Sequence, residues 1–200
     1  MHSDRTRLVK SKRARGALGA VALALGAPGP ARATVIVTAL EVGGDVVLSG
    51  SGTLDLSAWT LIATTIAYGV MGPSNPSLVI GPAVADSVDE YFLTGPVASS
   101  PFGPGPNASA TSGSGDKFGI ANLIFVPSGY VSGDPLSGAS TYAGSSFASL
   151  GMAPGSYTWS WGAGASADSM VLQVPEPSLA ALAIAGAVGL ALRGRRRFGA

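Results

Sequence analysis

No cysteine occurs in the 200 residues. Disulfides, thiolate nucleophiles and sulfur-ligated metal sites are therefore excluded, and the fold must hold by packing and strand pairing. Histidine is nearly absent as well, the one copy being His2. If the N-terminal segment is removed, no imidazole remains, so a Ser-His-Asp triad, a His-ligated zinc and a His general base drop out. Positive charge is missing from the body. Seven basic residues precede residue 34 and four arginines follow residue 192; between them Lys117 stands alone against ten acids, a net charge of −9. Such a body offers nothing to a phosphate backbone, which excludes nucleic acid as a partner.

Other catalytic arrangements fare no better. A Ser-Lys pair would have to use Lys117, which neighbours Asp116 and reads as a surface ion. Ten acids make some close carboxylate pair arithmetically expected, so a glycosidase reading has no specific signal. Asp86, Asp89 and Glu90 cluster near a predicted strand edge, where they read as solvated charges that block edge pairing or as oxygen ligands for calcium. Asn107-Ala108-Ser109 fits a glycosylation pattern of little predictive force here. The expectation is a non-enzyme with no cofactor and no metal.

What the chain does contain is concentrated at its ends. Six basic residues precede an apolar stretch, Gly16 to Ala27, which is followed by Pro28-Gly29-Pro30 and Ala31-Arg32-Ala33. That is the layout of a secretory signal over residues 1–33, with small side chains at Ala31 and Ala33 and cleavage before Thr34. Twelve residues at ~1.5 Å each are too short for a ~30 Å hydrocarbon core. No Arg-Arg pair precedes the apolar stretch, so the Sec machinery and signal peptidase are the expected handlers. At the other end Ser178 to Leu192 run without a charge and stop at Arg193, Arg195, Arg196 and Arg197. The positive-inside rule keeps these arginines in the cytoplasm and the body outside, as the signal also requires. Ala185-Gly186-Ala187 and Gly189 give this segment small residues that suit close helix approach or simply reflect a short span.

Residues 34–173 read as all-β. TVIVTALEV and DVVLSGSG are β-branched runs joined by Gly43-Gly44, a two-residue hairpin signal. TLIATTIAYGV, SLVIG, DEYFL, KFGIANLIFVP and ADSMVLQV follow, each bounded by turn residues. Residues 95–115 are rich in Gly, Pro and Ser and predict a long loop without core-forming content. SYTWSW alternates, with Tyr157, Trp159 and Trp161 on one face and Ser156, Thr158 and Ser160 on the other. That aromatic face serves either as the inside of a sandwich or as a platform for sugar rings. Six to nine short strands predict an antiparallel β-sandwich or jelly-roll-like domain between a signal helix and a C-terminal transmembrane helix.

Val174-Pro175-Glu176-Pro177, the apolar run and the arginine cluster together resemble the PEP-CTERM sorting domain of exported Gram-negative bacterial proteins. The resemblance covers about residues 174 to 197. It implies recognition of Pro175, Glu176 and Pro177 by exosortase, a membrane-embedded protease-transpeptidase, with the remaining segment to 200 as inner-membrane anchor. Two prolines deny that segment helix and sheet bonding, which leaves an extended peptide a protease can reach. Residues 116–174, with PSGYVSGDPLSG and FASLGMAPGSYTWSWG, also resemble a recurrent group of PEP-CTERM bodies. The resemblances imply a cell-envelope or extracellular-matrix protein with a structural or adhesive role. Such a protein is held first with its body in the periplasm, then moved to the surface or the exopolysaccharide layer. A carbohydrate-binding module using the aromatic strand is the alternative, with surface polysaccharide as partner.

Overall fold

The computed structural model describes residues 34–93, 97 and 99–176. Cleavage residues Ala31 and Ala33, Pro177 and the anchor arginines Arg193, Arg195, Arg196 and Arg197 lie outside the described residues. So do the two expected terminal helices. Among the described residues no helix is long and apolar enough to cross a membrane.

The described body is all-β, two sheets with a single 3-10 turn at Gly164–Ser166. The first sheet contains β1 (Thr34–Val42), β2 (Asp45–Gly52), β8 (Ser112–Gly115), β11 (Leu136–Tyr142), β12 (Gly155–Trp161) and β13 (Asp168–Val174). The second contains β3 (Trp59–Ala67), β4 (Val70–Gly72), β5 (Ser77–Ile80), β6 (Asp86–Leu93), β7 (Ala108–Ser109), β9 (Phe118–Ile120) and β10 (Ile124–Pro127). Their spatial orders are β12-β13-β1-β2-β11-β8 and β3-β6-β10-β9-β5-β4-β7.

β1 and β2 pair from Val35↔Gly52 to Val42↔Asp45, closed by Gly43 and Gly44 at φ of 65° and 95°. That left-handed pair is what a two-residue hairpin turn demands, and glycine adopts it without strain. The inward residues of β1 and β2 are Val35, Val37, Ala39, Val46 and Leu48, all fully buried. They meet Met71, Leu78, Ile80, Phe118 and Ile120 of the second sheet in one apolar cluster. β5 and β9 are buried at every position, because both faces of these central strands are covered. Period-2 alternation gives way there to continuous burial, Ser77 included.

The expectation of purely antiparallel pairing is corrected at one place. β1 runs parallel to β13, from Thr34↔Ser169 to Thr38↔Gln173. The consequence is positional: Thr34 starts at one end of the sheet and Val174 finishes toward the other.

The 95–115 stretch also departs from expectation. Phe102 is fully buried and its ring stands 6.0 Å from Tyr157 and 6.1 Å from Trp159. β7 adds to β4, and β8 adds to β11. The segment is pinned by the Phe102 N–H to Pro73 O (2.9 Å) and the Gly105 N–H to Gly151 O (3.2 Å). A Cβ at Gly105 would fall 1.9 Å from Leu150 O, so the two backbones approach closely only because glycine is there. Its small residues serve close packing, and one phenylalanine supplies the anchor.

Candidate functional site

Tyr157, Trp159 and Trp161 alternate along β12 as the pattern predicts, but the face they form is turned inward. Trp159 is 1% exposed and Trp161 3% exposed. The Trp159 indole N–H donates to Pro76 O (2.9 Å), and Trp161 meets Trp59 edge-on at 5.5 Å. Tyr157 is half-buried, with its hydroxyl on Ala153 O at 3.0 Å. A sugar platform needs ring faces in water; these two indoles are enclosed by protein, so the aromatic strand is core.

The acidic cluster is dispersed by the fold. β6 lies between β3 and β10, so it is an interior strand and not an edge. Asp89 is 6% exposed and accepts from Thr64 Oγ1 (2.7 Å), the Gly129 N–H (2.8 Å) and Ser128 Oγ (3.2 Å). The Gly129 N–H and Thr64 hydroxyl stabilise the carboxylate and hold its pKa below the ordinary value. Asp86 is exposed and Glu90 half-buried. Among the described residues no three metal-ligating side chains converge.

Lys117 is not a surface ion. It is 1% exposed, at the point where the chain leaves β8 for β9. Its ammonium donates to Ala67 O (3.0 Å), Pro82 O (2.7 Å) and Val84 O. Three carbonyls match the three donors of an ammonium group. Burial lowers its pKa, partly opposed by the charge of Asp86. The side chain acts as a clamp joining the end of β3 to the loop after β5, and it is enclosed away from any substrate.

Sequence reasoning missed Asp168. It begins β13 opposite Trp161, is 4% exposed, and accepts the Asp55 N–H (2.7 Å) and Ser169 N–H (2.6 Å). Burial outweighs these donors and raises its pKa to about 6. Asp55 beside it is lowered, chiefly by the Ser57 N–H. The same end is stitched by Tyr130, whose hydroxyl accepts the Leu54 N–H (2.9 Å) and donates to Asp134 O (2.8 Å), and by Ser132, which accepts the Leu56 N–H (2.7 Å). A lone aspartate leading an ordinary strand pattern gave no signal of this.

One recess lies at the second sheet. It encloses about 250 Å³ between Asn75 and Pro76 of the β4–β5 turn, Ser77 at the start of β5, Phe92 of β6, and Asn122 in the β9–β10 turn. Its floor is rigid. Trp159 holds Pro76, while the Phe102 N–H holds Pro73 and Gly105 O holds the Ser74 N–H. Phe92 is 51% exposed, and no described lining residue is charged. A second recess of about 460 Å³ lies beside Asp168, lined by Thr158, Ser160, Trp161 and Ser169.

After Val174, the last residue of β13, Pro175 and Glu176 are exposed. In comparisons with known proteins, no family model, curated protein or solved structure matches this chain.

Proposed function

We propose that this is an exported cell-envelope or extracellular-matrix protein whose β-sandwich serves a structural or adhesive role. In this reading the chain is delivered by the Sec route, trimmed before Thr34, and anchored briefly in the inner membrane by residues 178–192. An exosortase then processes it at Pro175-Glu176-Pro177. The observation that carries the reading is where the β-body ends: β13 stops at Val174, directly before the sorting motif. Exposed Pro175 and Glu176 directly beyond the last strand give a processing enzyme an extended peptide to grip. The absence of histidine and cysteine between residues 34 and 200 favours a non-catalytic role.

Intact mass of the protein isolated from its native host tests this. The expected spectrum begins at Thr34 and lacks the arginine cluster. A chain that retains both Met1 and Ala200 overturns the reading.

A carbohydrate-binding role has one observation in its favour, and it moves the site away from the aromatic strand. The recess with Phe92 offers a ring face, and Asn75 and Asn122 offer amides that both donate and accept, as vicinal hydroxyls require. It is smaller than the ~300–1,000 Å³ typical of drug-sized ligands, which suits one neutral sugar ring. Phe92→Ala and Asn122→Ala are expected to abolish retardation of the protein in gels containing neutral polysaccharide. Unchanged retardation in both, or none in the parent protein, removes this role.

A further inference from the structure

The four strands that end the two sheets differ in how well they are protected. β7 has two residues, β8 is the four-residue SGSG, and β12 has seven residues with one face in the core and serines and a threonine on the other. β3 is nine residues long, WTLIATTIA, with no proline, glycine or charge. Only its first and last residues, Trp59 and Ala67, are buried. Thr60 to Thr64 are exposed without alternation, so the middle of the strand projects past the opposing sheet. A bulge sets Leu61 opposite Tyr91 and Ala63 opposite Glu90, leaving Ile62 as the extra residue. Leu61 and Ile62 are consequently both turned to solvent, 52% and 53% exposed, and Ile66 is 62% exposed farther along. Natural edges are usually shortened, charged or covered; among the described residues this one has only its bulge.

We propose that β3 is an assembly edge and that its partner is β3 of a second copy of this chain, paired antiparallel about a two-fold axis. An open edge presents N–H and C=O groups that another extended strand matches in register, which a helix or a glycan does not. Length and exposed apolar side chains single out β3 among the four uncharged edge strands, and its lack of charge permits the approach. Residues 34–192 carry a net −9, so two copies repel over most of their surfaces. Residues 56–85, which include all of β3, contain no charged side chain. The acids nearest this edge, Asp86, Asp89 and Glu90, sit on β6, so two copies can approach along β3 with two uncharged strands between their carboxylates. The strand is also self-complementary, since the β-branched residues Thr60, Ile62, Thr64, Thr65 and Ile66 would face their own kind and cross-strand pairs of this type favour sheet growth. A closed two-fold pairing uses both β3 edges and leaves none open.

The chain's lack of cysteine makes the test direct. Full-length Ala63→Cys and Ile66→Cys, both on β3, are expressed with their signal in a Gram-negative host and treated in the envelope fraction with a short bis-maleimide. Ser114→Cys on the β8 edge is the control. The expected result is a covalent species of twice the chain mass from the two β3 variants and little from Ser114→Cys. Adding Leu61→Glu, which puts an acid on the pairing edge of each copy, is expected to lower that yield roughly fivefold or more. Lys117 is the sole tryptic site between residues 34 and 192 and is buried, so resistance of the body to trypsin reports that each variant is folded. The two β3 positions also substitute for each other if one variant fails. Equal crosslinking at all three positions, none at β3, an adduct of any mass other than twice the chain, or insensitivity to Leu61→Glu overturns the proposal.

Discussion

β12 and β3 are the longest of the strands that end a sheet, and neither carries a charge, yet they have opposite fates. They meet where Trp59 at the start of β3 stands edge-on against Trp161 at the end of β12. From that contact β12 runs back over the opposing sheet and buries Trp159 fully. β3 diverges, and Thr60 to Thr64 meet solvent on both faces. Strand propensity is therefore no guide to burial. A strand becomes core only if something lies across from it. β3 is retained by its ends and by hydrogen bonds: Trp59 at one end, the Lys117 clamp on Ala67 at the other, and Thr64 bonded to Asp89 between them.

The comparison breaks hardest at β12. Trp159→Ala removes a fully enclosed ring that also bonds Pro76, and should cost about 3–5 kcal/mol by denaturant titration. Thr158→Ala, one residue away on the open face, should shift stability by less than about 0.5 kcal/mol. On β3 the largest effect should come from the clamp. Lys117→Met leaves the carbonyls of Ala67, Pro82 and Val84 without their buried donor, an expected loss of about 2–4 kcal/mol. Hydrogen exchange should then quicken first around residues 66–68 and 82–84.

A smaller effect concerns Asp168 at the junction of β12 and β13. Its folded pKa of about 6 lies above the ordinary carboxyl value, so the folded state holds this proton more tightly. Stability should therefore fall as pH rises from about 4 to about 6, by roughly 1–3 kcal/mol after allowing for solvent screening. Asp55 and Asp89 act in the opposite sense. Their lowered pKa values contribute stability above about pH 4 that is lost as they protonate below it. The net expectation is maximal stability in mildly acidic buffer, with the slope between pH 4 and 6 abolished in Asp168→Asn. Thermal melts across that range check it. Smallest of all, Ile66→Ser should change monomer stability by less than about 0.5 kcal/mol, because little of its side chain leaves water on folding.

Much of the fold was legible because alternation and turn chemistry are local. Val35, Val37 and Ala39 alternate with solvent-facing neighbours, Gly43-Gly44 closes the hairpin, and the β12 stripe has the expected period. The misreadings share a different cause. Phe102 looked stranded among glycines and prolines, Lys117 looked like an exposed charge beside Asp116, and Asp168 looked ordinary. What each touches lies far along the chain: Trp159, Ala67 and Asp55 respectively. No local pattern encodes such contacts. The candidate recess was invisible for the same reason, since Asn75, Phe92 and Asn122 come from three separate segments.

Composition alone determined that this body has no thiol chemistry, has an acidic charge balance, and is built from short strands with glycine-rich turns. These follow from residue type and spacing, which act over a few neighbours at a time. Tertiary structure decided which aromatic face is hidden, which lysine is enclosed, and which edge is left open. Those outcomes depend on how two sheets overlie each other, and the overlap is set by pairings between residues up to 135 positions apart, such as Thr34 with Ser169.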